Sequence, residues 1–145
     1  MPIDMNLLLV EDNELDAQIL QRGLKKISAE GSLVRARDGM DALEILTRDV
    51  TERTLPQPFL ILLDINMPRM NGHEFLEALR TTEEIKDARV FVFTTSDSEN
   101  DIARAYEHNA NGYIVKPASM SELQEVLSFL QKFWEVCEHP CVKAA

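Results

Sequence analysis

Apolar residues in this chain follow two alternating patterns, short continuous runs and longer stretches with helical spacing. The runs are Met5–Val10, Leu33–Ala36, Phe59–Leu63, Val90–Phe93 and Tyr113–Val115, and the last three are apolar throughout, as strands covered on both faces require. Leu33–Ala36 alternates and carries Arg35, which predicts an edge strand. After the first run, Asn13 is placed to cap a helix whose broad apolar face holds Leu15, Ile19, Leu20, Leu24 and Ile27. A second helix is predicted from near Gly39 to Leu46, and a third from Gly72 with Phe75, Leu76 and Leu79 inward. The fourth runs from about Ser98 to His108 and stops at Asn109-Ala110-Asn111-Gly112. The fifth opens on Ser119 with Glu122 three residues later, the pattern of a capping box. Five strand–helix alternations predict a doubly wound α/β fold, a parallel sheet with helices on both faces. Arg48–Pro58, with two prolines, is the one long loop expected.

Length and composition narrow this picture without changing it. A chain of 145 residues suits a single domain, here with a core from about 5 to 131 and an extension over 132–145. The longest apolar run, Phe59–Leu63, is about a quarter of a membrane span. Met1-Pro2-Ile3-Asp4 has none of the basic character of a secretory leader, so a cytoplasmic address without membrane is expected. A net charge of −10 disfavours nucleic acid as a partner. Cys137 and Cys141 cannot frame the fold, and with His139 they fall short of the four ligands of a structural zinc site.

The chemistry gathers where the predicted strands end. Glu11-Asp12-Asn13 follows the first, Asp64-Ile65-Asn66 the third, Thr94-Thr95-Ser96 the fourth and Lys116-Pro117 the fifth. In an open α/β sheet, ligands bind beyond those carboxyl ends. Three carboxylates crowded on one edge repel, and without counter-charge one tends to take a proton. A hard divalent cation such as Mg²⁺ resolves the repulsion and also accepts phosphate oxygens. Asp64 could then act as the nucleophile of a phosphoryl transfer, with Lys116 neutralising one phosphoryl oxygen and the Thr94 hydroxyl donating to another.

This set resembles the receiver domain of two-component response regulators, over about residues 5 to 131. The spacings of 30 residues from Asp64 to Thr94 and 22 from Thr94 to Lys116 match the chemotaxis receivers, and Tyr113 matches the aromatic switch position. The resemblance implies a flavodoxin-like (βα)5 fold with strand order 2-1-3-4-5 and an extended C-terminal helix. It also implies a histidine kinase that phosphorylates Asp64. Metal would be held by Asp12, Asp64 and the Asn66 backbone carbonyl, with Glu11 acting through water. Asn66, Thr94, Thr95 and Lys116 would bind phosphate, Thr94 and Tyr113 would form the switch, and the Lys116–Pro117 bond would be cis. Two departures are the long segment near Arg48–Pro58 and the extension past Gln131. Together with Thr94-Thr95-Ser96 and Phe133-Trp134, the long loop is similar to the small response regulators of bacterial phytochrome kinases. Such a protein is no enzyme beyond its own phosphorylation and dephosphorylation, and its output would be protein contact.

Rival readings fare less well on the residues. A flavin phosphate would be repelled by Glu11-Asp12-Asn13-Glu14, and a toprim-type nuclease expects an Asp-x-Asp pair where Asp64-Ile65-Asn66 has one carboxylate. A pseudo-receiver scaffold would lack some of the chemical residues, all of which are present. His73 and His108 are expected at the surface or boundary, and Met67 and Met70 in packing or beside a partner site. The fifth helix carries Leu123, Val126, Leu127, Leu130, Phe133, Trp134 and Cys137 at spacings of three and four, with Phe129 off the stripe. From Ser121 to Cys137 it would span roughly 25 Å, against about 17–20 Å for a typical strand. Its last turns are therefore expected to overhang the sheet and expose Phe133 and Trp134. That exposure predicts a homodimer through the fifth helix and the tail.

Overall fold

The computed structural model describes residues 4–48 and 54–140. Its elements, in chain order, are β1 (Asn6–Val10), α1 (Glu14–Lys26), β2 (Leu33–Ala36), α2 (Gly39–Thr47), β3 (Phe59–Leu63), α3 (Gly72–Thr81), β4 (Arg89–Thr94), α4 (Glu99–Glu107), β5 (Gly112–Val115) and α5 (Met120–Val136). The five strands form one parallel sheet ordered β2-β1-β3-β4-β5. This is the flavodoxin-like arrangement that the resemblance implies, with β2 on an edge. Residues 49–53 of the expected long loop, and Cys141 in the tail, lie outside the described residues.

Side chains alternate along each strand, so each central strand feeds two cores. Leu8, Val10, Ile61, Leu63, Val90 and Val92 face α2, α3 and α4, where Ile45, Leu46, Phe75, Leu76, Leu79 and Ala105 close over them. The intervening Leu7, Leu9, Leu60, Leu62, Phe91 and Phe93 face α1 and α5, under Ala17, Leu20, Leu123, Leu127 and Leu130. Burying one such side chain is worth about 1.5–3 kcal/mol. Fully buried β1 and β3 therefore carry much of the fold.

Local chemistry fixes where the helices begin. The side chains of Asn13, Asp38, Asn71, Ser98 and Ser119 each accept a backbone N–H from the first turn of the helix that follows. At Asn71 the cap is reciprocal, because Glu74 bonds back to the Asn71 N–H at 3.1 Å.

Three expectations are corrected. Phe133 and Trp134 are not exposed. Trp134 is 0% exposed; its indole N–H donates to the Asp4 carbonyl at 2.9 Å, and the His139 ring stacks on it at 3.6 Å. Phe133 is half-buried, edge-on to Phe91 at 5.1 Å. The chain past α5 turns back over the helix, which a comparison of lengths does not anticipate. His73 is likewise a core residue, 3% exposed, because α4 packs over the start of α3. Among the described residues the cis peptide is Gln57–Pro58, so Lys116–Pro117 is not cis. Both isomers of an X–Pro bond lie close in energy, so the Lys-Pro dipeptide alone does not choose between them.

Candidate functional site

Strand parity explains which residues meet. Glu11, Asp64 and Lys116 continue the parity of Leu9, Leu62 and Ile114, so their side chains turn toward the α1–α5 face. Thr94 and Tyr113 continue the opposite parity and turn toward α4. The Lys116 ammonium sits at the centre of the first group. It donates to Glu11 Oε1 at 2.6 Å, Asp16 Oδ2 at 2.8 Å and Asp64 Oδ2 at 3.2 Å. Carboxylate oxygens of Glu11, Asp12 and Asp64 lie within 4.8 Å of one another. Glu11 and Asp64 are buried and Asp12 is exposed, which leaves the cluster open to solvent on one side.

The electrostatics follow from that crowding. Burial is the largest influence on Glu11 and raises it; the Lys116 bond pulls it down, and Asp64 adds to the rise, leaving its pKa at about 7. Burial works against the Lys116 charge, but Asp16, Glu11 and Asp64 outweigh it and hold the ammonium above its ordinary value. The site is thus short of positive charge even with its lysine in place. Its donors are all hard oxygens, partly exposed through Asp12, and so suit a small divalent cation such as Mg²⁺.

The loop after Asp64 is held on several sides. The Ile65 N–H donates to Asp64 Oδ1 at 2.7 Å, fixing the carboxylate. The Gly72 N–H donates to the Ile65 carbonyl at 2.8 Å, and a Cβ at position 72 would collide with the Asp64 carbonyl oxygen. Arg69, at φ 62, forks onto Asp38 with contacts of 2.7 and 3.0 Å. Asn66 lies exposed within this pinned loop.

On the α4 side, Thr94 is buried and Thr95 exposed. The Tyr113 hydroxyl donates to the Ser96 carbonyl at 2.9 Å, and the Ser96 hydroxyl donates to Asp101 Oδ2 at 2.6 Å. Asp101 Oδ1 lies 2.9 Å from His73 Nε2. Ser96 and His73 together hold the Asp101 carboxyl below its ordinary value. Met67 and Met70 pack against the core beside this loop.

Sequence reasoning found Glu11, Asp12, Asp64, Thr94 and Lys116, and the fold brings the first three and Lys116 together. It missed Asp16, the Asp38–Arg69 fork and the Ser96–Asp101–His73 chain. Asp16 carried a signal, since it follows the acid pair within the first turn of α1, but an acid there also suits any helix N-terminus.

Comparison with known proteins agrees with this geometry. The profile described as "Response regulator receiver domain" matches residues 7–128. The chain is 34% identical to the probable methanogenesis regulatory protein FilR2 of Methanothrix harundinacea, over 88% of this chain and 82% of that one. It is also 34% identical to response regulator Rcp1 of Synechocystis, over 88% and 87%. The structure of the phosphorylated cyanobacterial phytochrome response regulator RcpA superposes with a TM-score of 0.83 at 32% identity, covering 96% of this chain and all of that one. The Mn²⁺-bound form of Rcp1 superposes with a TM-score of 0.78 at 31% identity, covering 94% and 99%. With so much of the chain matched, and the carboxylates and lysine meeting as they do, this protein belongs to the response regulator receiver family.

Proposed function

We propose that Asp64 accepts a phosphoryl group from a histidine kinase in a Mg²⁺-dependent reaction. The observation that carries this reading is the contact of one ammonium, Lys116, with a fixed and buried Asp64 that clusters with the carboxylates of Glu11 and Asp12. A bond forms from an Asp64 carboxylate oxygen to phosphorus as the phosphorus–nitrogen bond of the donor phosphohistidine breaks. Lys116 gives up one carboxylate contact to a phosphoryl oxygen, and the hydroxyls of Thr94 and Thr95 and the side chain of Asn66 take others. Asp12, Asp64 and the Asn66 backbone carbonyl would hold Mg²⁺, with Glu11, the longer acid, acting through water. When bound, the metal supplies positive charge against the phosphoryl oxygens. Thr94 and Tyr113 carry the response to α4, through Ser96. The kinase is a bacterial phytochrome by similarity to the phytochrome response regulator RcpA, the address is cytoplasmic, and the output is protein contact.

Self-association through α5 belongs to the same reading, with a change of residues. Phe129 and Val136, 55% and 70% exposed, take the contact role in place of the buried Trp134. The decisive experiment on Asp64 is intact mass after incubation with acetyl phosphate and Mg²⁺. Wild type should gain one phosphoryl group and Asp64→Asn none; uptake by the variant would overturn the assignment.

A further inference from the structure

An ammonium has three N–H donors, and Lys116 contacts three carboxylates at hydrogen-bond distance, two of a different kind from the third. Glu11 and Asp64 belong to the group that can hold a metal, whereas Asp16 does not. Asp16 stands in the first turn of α1, where its backbone N–H donates to the Asn13 side chain at 3.0 Å. Its side chain is partly exposed and reaches across to β5 to meet Lys116 at 2.8 Å. An acid at this place would suit the α1 dipole wherever it pointed. A dipole does not account for a direct contact with Lys116.

We infer that Asp16 is a positioning residue that acts through Lys116, holding its ammonium to the α1 side so that the lysine and a divalent cation can occupy the site together. The inference rests on the phosphoacceptor reading for its purpose, but not for its geometry. With Asp16 present, part of the lysine's charge is drawn off Glu11 and Asp64, and those oxygens can turn to a cation. Once they have turned, Asp16 is the carboxylate that still anchors Lys116 beside Asp64. Without Asp16, the ammonium falls fully onto Glu11 and Asp64 and competes with the metal for them.

The test is a double-mutant cycle read by Mg²⁺ titration calorimetry on the full chain, with wild type, Asp16→Asn, Lys116→Met and the pair at pH 8. Asp16→Asn should weaken Mg²⁺ binding about fivefold, a typical coupling for contacting groups. In the Lys116→Met background the same change should fall to about twofold, the size of a through-space charge effect in water. Asp16→Glu, with the charge restored on a longer arm, should recover most of the loss. Wild-type affinity in Asp16→Asn would overturn the inference, as would equal losses in both backgrounds. Phosphorylation of wild type by acetyl phosphate is followed in parallel. Failure there sinks the Asp64 assignment, whereas the Mg²⁺ cycle judges Asp16 by itself.

Discussion

Glu11 is the residue whose ionisation most sets the mood of the site. Its folded pKa of about 7 lies above its ordinary value of 4.5. A carboxyl raised in this way binds its proton more tightly in the folded chain than in the unfolded one. Its contribution to stability is therefore fully present below 4.5 and is lost as pH rises through about 7. Metal-free protein should lose roughly 1–3 kcal/mol of unfolding free energy from this group between pH 5 and pH 8. Urea unfolding at both pH values, wild type against Glu11→Gln, isolates it; an identical pH dependence in the two proteins would count against the assignment. That the acids would repel was legible in the sequence, from three carboxylates at strand ends. Which of them would carry the strain was not, because it depends on how deeply the fold buries Glu11, a burial that the Lys116 contact only partly offsets.

Among the elements, α5 shows where reading by length fails. The helix has 17 residues, close to expectation, and its inward stripe of Leu123, Leu127 and Leu130 was legible from spacing alone. Trp134 extends the same stripe, but its cover comes from the chain ends, through the Asp4 carbonyl and the His139 ring. Contacts of that kind leave no periodic trace. Trp134→Ala should cost about 3–5 kcal/mol of stability, the usual range for a large core aromatic. Phe129→Ala, half exposed and edge-on to Phe91 at 6.3 Å, should cost less, about 0.5–1.5 kcal/mol. Denaturant unfolding measures both, and sedimentation velocity on Phe129→Ala tests the proposed self-association. A wild-type dimer untouched by this change would remove α5's outer face from that role. His73 was misplaced for a related reason. Helical spacing marks an inward face but does not say that a neighbouring helix will bury the next residue round.

At the scale of the molecule, five strands deliver their polar residues to one edge while both faces of the sheet are closed by helices. The strand order that the family resemblance implied is the one observed, whereas the hydrophobic runs by themselves gave a parallel sheet with the second strand at an edge. The excess negative charge, −10 overall, is partly concentrated at that edge. Divalent metal should therefore stabilise the whole fold by mass action, about 2.7 kcal/mol at a hundredfold excess over its dissociation constant. Asp12→Ala, which removes the exposed carboxylate proposed as a ligand and little packing, should leave the metal-free melting temperature nearly unchanged and abolish the Mg²⁺-dependent rise. A rise that survives in the variant would place the metal elsewhere. The opposite edge of the sheet has its own consequence. Trp134 is the chain's single tryptophan, lodged beside Asp4 at the start of β1, whereas Asp64 follows the far end of β3, roughly a strand length of 17 Å away. Its intrinsic emission is thus a natural optical gauge of whether Asp4 and His139 remain docked on the last turns of α5, reporting on that seam and not on the chemistry across from it.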